Sequence, residues 1–70
     1  MKLLFTHHAI KRLSKRKILK HEIVESIQHP DKTVKKHRLY YFQKRLDRGS
    51  IEICCEKTLK HIKVISVYWL

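Results

Sequence analysis

The stretch LYYFQKRLDRGSIEICCE, residues 39–56, decides the fold. Successive side chains of an extended chain point to opposite faces. In residues 39–46 this puts Tyr40, Phe42, Lys44 and Leu46 on one side and Tyr41, Gln43 and Arg45 on the other. In residues 50–56, Ile51, Ile53 and Cys55 alternate with Glu52, Cys54 and Glu56, so one face is predicted buried and the other wet. Asp47-Arg48-Gly49 between them is a turn signal.

The same period of two continues on both sides. Residues 33–37 (TVKKH) and 61–69 (HIKVISVYW) are rich in β-branched and aromatic residues, which suit a pleated surface, and Lys57 to Lys60 makes the turn before the last strand. In that strand Ile62 and Val64 share one side while Ile65, Val67 and Trp69 share the other. Either a bulge shifts the register near Ser66, or both faces are covered at that end.

Before Asp31 the period is helical. Thr6 can cap a helix starting at His7, with Ala9, Ile10 and Leu13 on one side. Ile18, Leu19, Ile23, Val24 and Ile27 predict a second helix, with Glu22 and Glu25 near its N-terminus and Pro30 stopping it after His29. The expected architecture is α+β: two N-terminal helices packed on a three- to four-stranded antiparallel sheet, in a single domain over residues 1–70.

A chain of 70 residues is at the size where one core buries only about 60% of the unfolded surface. Seventeen Lys and Arg face six Asp and Glu, a formal net charge of +11. That excess favours a polyanionic partner. With 43% hydrophobic residues, one Gly and one Pro, the chain reads as a folded basic domain, not a disordered arm. Cys54 and Cys55 are adjacent, so a bond between them would need distorted geometry, and no zinc-finger spacing exists. Both are expected reduced. MKLLFTHH lacks the apolar run of a signal peptide, and no membrane span is predicted, so a cytoplasmic location is expected.

His8, Arg12 and Arg16 fall four residues apart along one helix. Like charges at that spacing cost roughly 0.2–0.5 kcal/mol per pair. Two readings stand: a solvated basic face, or a stripe bordering a groove, whose imidazole can titrate and whose guanidinium forks suit phosphate oxygens. In RLYYFQKRLDR, residues 38–48, the cations Arg38, Lys44, Arg45 and Arg48 interleave with Tyr40, Tyr41 and Phe42. Such a mixture grips single-stranded RNA, or else fringes a strand whose aromatics are core. Tyr68 can donate to a phosphate or a leaving group, or keep its ring in the core with the hydroxyl at the rim. No histidine spacing suggests a metal site, and no cofactor is expected.

HAIKRLSKRKI (8–18), IVESIQHP (23–30), a basic hairpin and IKVISVYW (62–69) together resemble a family of small uncharacterised prokaryotic domains. Its members open on a His-Ala-x3-Arg-x3-Arg-x-Ile helix and end in a Val-Tyr strand. That family is similar to the RelE/ParE toxin group, two helices on an antiparallel sheet, whose ribonuclease members cut mRNA without metal. The resemblance implies a toxin-like, metal-independent endoribonuclease of a toxin–antitoxin pair. Its partners would be RNA, free or on the ribosome, and an acidic antitoxin, with no membrane partner.

On that reading the catalytic set is His8, Arg12, Arg16 and Tyr68, and the RNA contacts are Arg38, Tyr41, Lys44 and Arg45. A ribose 2′-hydroxyl would attack the adjacent phosphate, with His8 as acid or base, the two arginines clamping the phosphate and Tyr68 donating or positioning a proton. Lys20 departs from the pattern, standing where the family often has a Ser or Thr cap. ParE-like relatives inhibit a topoisomerase and cut no RNA, so fold alone does not establish nuclease activity. The alternatives are a non-catalytic basic nucleic-acid-binding module and a ParE-like inhibitor of a protein target.

Overall fold

The computed structural model describes residues 2–70. Strand β1 (Lys2–Phe5) leads into helix α1 (His7–Arg16), then α2 (Lys20–Gln28), β2 (Lys32–Lys36), β3 (Leu39–Leu46), β4 (Gly49–Lys57) and β5 (His61–Trp69). The Thr6 hydroxyl starts α1 by accepting the Ala9 N–H at 3.0 Å, satisfying one of the helix's orphan donors. Lys17, left-handed at φ 56°, ends α1, and the Ile18 N–H returns to the Leu13 carbonyl at 3.0 Å. Leu19 cannot cap α2 with its side chain. The Glu22 carboxylate instead reaches back to the Leu19 N–H at 3.0 Å.

The sheet has five strands in the order β1-β5-β4-β3-β2. Strands β2 to β5 form the expected antiparallel meander. A three- to four-stranded, wholly antiparallel sheet is corrected by β1, which lies parallel to β5 from Lys2↔His61 to Phe5↔Val64. The sheet is therefore mixed. KLLF is four residues long with no alternation, and its partner comes from the far end of the chain, so no local pattern announces the pairing.

The irregularity in the last strand is a bulge. Cys54 pairs with Ser66 and Cys55 with Val64, which leaves Ile65 as the extra residue. Val64 and Val67 consequently both face the core, where each is fully buried. Ala9, Leu13, Ile18 and Ile23 pack there on Phe42, Ile51, Ile53 and Cys55. Full burial of each large aliphatic contributes about 1.5–3 kcal/mol. Since the helices cover the Ile51–Ile53–Cys55 side of β4, the Glu52–Cys54–Glu56 side belongs to the other, helix-free face. Among the described residues, no helix is long and apolar enough to cross a membrane.

Candidate functional site

Helix α1, HHAIKRLSKR, carries no acidic residue. Its apolar residues Ala9 and Leu13 go to the core, which turns the His8–Arg12–Arg16 line toward the flank of the sheet. His8 is exposed, and its Nε2 accepts a hydrogen bond from Arg12 Nε at 3.3 Å. A shallow groove of about 220 Å³ beside them is lined by His8, Lys11, Arg12 and Lys15.

Arg16 sits at the end of this line but points elsewhere. Its Nη1 donates to the Val67 carbonyl at 3.1 Å, and Trp69 Nε1 donates back to the Arg16 carbonyl at 3.2 Å. β1 pairs with β5 only as far as Val64, so the later residues of β5 form a sheet edge. Thr6 Oγ1 and Arg16 occupy the Ile65 and Val67 carbonyls of that edge. Arg16 is thus a strut between α1 and β5.

Tyr68 follows Val67 on the same strand and projects onto the helix-free face. Its hydroxyl donates to Glu52 Oε1, while Gln43 Nε2 donates to Glu52 Oε2 at 2.7 Å. Register explains the cluster: Glu52 pairs directly with Tyr68 on one side and Gln43 on the other. Burial, reinforced by the Glu52 carboxylate, pushes the Tyr68 phenol well above its usual range. It therefore holds its proton throughout the neutral range. Glu52, on the face of its strand predicted wet, is instead half-buried and shared between two donors.

The hairpin residues divide. Tyr41 lies on the helix-free face beside Gln43 and directly opposite Cys54. Burial raises the Cys54 thiol, and the hydrogen bond with Tyr41 pulls the other way. Arg45 shares that face and is exposed, its backbone N–H donating to Asp31 Oδ2 at 2.7 Å. Lys44 faces the helices. Its Nζ donates to the His29 carbonyl at 2.7 Å and lies 3.7 Å from Asp31, tying the end of α2 to β3. Arg38 is exposed at the tip of the β2–β3 hairpin.

Six of the eight expected residues thus occupy three places: His8 and Arg12 the α1 groove, Tyr41, Arg45 and Tyr68 the helix-free sheet face, and Arg38 the hairpin tip. His8 and Arg12 meet, and Arg16 joins their helix to the strand that carries Tyr68. Lys44 and Arg16 are engaged in holding elements together. Cys55 is in the core with its thiol pushed up to about 12 by burial. Among the described residues, no group of three His, Cys, Asp or Glu side chains comes together to hold a metal ion.

The fold and this arrangement define a small basic α+β domain with a cationic helix flanking a sheet edge and a phenol–carboxylate pair on the adjoining face. The chain belongs to the family DUF4258, a domain of unknown function, whose profile matches residues 5–69. No curated protein and no solved structure matches the chain.

Proposed function

We propose that this protein is a toxin-like, metal-independent endoribonuclease related to the RelE/ParE group, acting on mRNA. The observation that supports it most is that the basic α1 line and the Tyr68–Glu52 pair flank the same strand. Arg16 ends on the carbonyl of Val67, and Tyr68 is the next residue. An RNA strand crossing this edge would meet Lys11, Arg12 and Lys15 on one side and Tyr68 with Glu52 on the other.

Cleavage by a neighbouring 2′-hydroxyl needs a group to take its proton, a group to protonate the departing 5′-oxygen, and cations at the phosphate. The O2′–P bond forms as the P–O5′ bond breaks, leaving a cyclic phosphate and a 5′-hydroxyl. His8 on α1 and Glu52 on β4 are groups able to accept the 2′-hydroxyl proton. Tyr68, protonated at neutral pH, is suited to donate to the leaving oxygen. Arg45 and Tyr41 on the sheet face, with Arg38 beyond them, extend the contact with RNA.

A second reading, a nucleic-acid-binding module without cleavage, is favoured by one observation. The Tyr68 hydroxyl is satisfied by Glu52, and the His8 Nε2 by Arg12. Incubating end-labelled RNA with wild type, His8→Ala, Glu52→Gln and Tyr68→Phe, with and without ribosomes and without added metal, separates the readings. Discrete cuts lost in these variants support the ribonuclease. Intact RNA that still binds transfers the assignment to a binding module. Intact RNA that does not bind points to a protein target, and the acidic antitoxin then becomes the partner to seek.

A further inference from the structure

A cavity of about 410 Å³ lies away from the α1 groove, at the tip of the β2–β3 hairpin against the β4–β5 turn. Lys35, His37, Arg38, Tyr40, Lys57 and Thr58 line it, with Glu56 as its one acid. The sheet's register builds it. Lys35 pairs with Tyr40 across β2 and β3, Tyr40 pairs with Cys55 across β3 and β4, and Lys57 follows two residues later on the same face. The Tyr40 ring consequently sits between two lysines from flanking strands, their Nζ atoms 5.4 and 5.5 Å from its centroid.

Tyr40 is reachable there because the helical layer stops short. α2 ends at Gln28 and covers the buried Phe42 but leaves the half-buried Tyr40 at the margin of the core, stacked on Phe42 with centroids 6.1 Å apart. The quadrupole of the ring holds both ammonium groups over its surface. Arg38 adds a planar fork at the exposed tip, and left-handed His37, at φ 59°, makes the turn that carries it. The one acid offsets little, since the Glu56 carboxylate lies 3.9 Å from Lys63 Nζ. Three cations thus converge on one open cavity, a placement that like-charge repulsion opposes unless an anion completes it.

The geometry points to a phosphate-binding subsite in this hairpin cavity, taking a backbone phosphate of single-stranded RNA between Lys35, Lys57 and Arg38. It rests on the RNA reading above and lies about 16 Å along β4 from Glu52, at roughly 3.3 Å per residue. It is on the opposite face of the sheet, so the RNA would pass around the hairpin end to reach it. A tetrahedral anion with several outward oxygens fits ammonium groups on two sides and a fork at the rim. His37 adds charge to the same cavity when protonated.

The test uses a short 2′-O-methyl oligouridylate, which lacks the attacking hydroxyl, and measures how the binding constant falls with salt. Each phosphate contact on a single strand contributes about 0.7 to that slope. Because the three cations share one phosphate, Lys35→Gln/Lys57→Gln is expected to lower the slope by about 0.7, and Arg38→Gln to lower it by a smaller amount in the same direction. Lys2→Gln/Lys60→Gln removes the same charge outside the cavity and is expected to change it by less than half as much. Circular dichroism on each variant checks that it folds, and Arg38→Gln, at an exposed tip, serves if the lysine pair does not. Equal losses in the two double variants, or an unchanged slope in the cavity variants, would overturn the subsite and leave the RNA reading standing. Wild type that fails to bind the oligonucleotide would overturn the RNA reading, and the subsite with it.

Discussion

Replacing Arg16 by methionine separates a phosphate clamp from a structural strut. The substitution keeps most of the aliphatic stem and removes the donor to the Val67 carbonyl at 3.1 Å. Hydrogen bonds from a charged group contribute about 1.5–3 kcal/mol, a figure reduced here because the side chain is only half-buried. Relief of the repulsion from Arg12 returns about 0.2–0.5 kcal/mol. The expected net loss is about 1–2 kcal/mol, against a total of about 4–10 kcal/mol for a domain of this length.

At about 4–8 °C per kcal/mol, Arg16→Met should lower Tm by about 5–15 °C. Far-UV circular dichroism reads the whole fold. Fluorescence of Trp69, the one tryptophan, reads the same joint, because its Nε1 donates to the Arg16 carbonyl. Both probes should report the loss, and high salt should not abolish it. An unchanged Tm together with a salt slope for RNA binding lowered by about 0.7 would refute the strut and make Arg16 a phosphate contact.

Three further outcomes are expected. The hydrogen bond from Arg48 holds the Glu22 carboxyl below its ordinary 4.5, against the opposing effect of burial. A depressed carboxylate contributes stability above its unfolded pKa and loses it as pH falls through the folded one, so the urea midpoint of wild type should drop below about pH 4.5, and Arg48→Gln should flatten that dependence. Burial raises both thiols, Cys55 to about 12, so a thiol reagent at mildly alkaline pH should label neither quickly in the native state and both in urea; rapid native release of one thiol would contradict the packing around Cys54. Ile53→Ala empties a fully buried site between the helices and three strands, and urea unfolding should report a loss of about 2–5 kcal/mol.

The limits of β3 and β5 are legible in the sequence because alternation and β-branched content persist over their whole length. The mismatch of Ile62 and Val64 with Val67, by contrast, leaves a bulge and a strand covered on both faces as equal alternatives, which only the register of β4 and β5 decides. Thr6 as a cap and Pro30 as a stop are local chemistry and read as such. β1 is invisible because its pairing is parallel and joins opposite ends of the chain. The stacking of His8, Arg12 and Arg16 is legible as spacing, whereas the contact of Arg16 with Val67 depends on where the sheet edge falls. Glu52 shows how far a turn can carry a reading. The Leu46↔Gly49 pairing around Asp47-Arg48 sets Gln43 opposite Glu52, so the register counted from that turn finds one partner, and the Tyr68 partner requires the register of β5. Lys44 cannot be assigned that way, since its acceptor, the His29 carbonyl, belongs to the end of α2.

The most direct test of the central claim is fragment mapping on end-labelled mRNA, with wild type, Glu52→Gln and Tyr68→Phe compared under identical metal-free conditions, with and without ribosomes. The account predicts discrete cuts by wild type, cyclic phosphate at the new 3′ ends, and loss of cutting in both variants while circular dichroism shows each still folded at the assay temperature. Intact RNA with wild type in both conditions, or undiminished cutting by both variants, would contradict it.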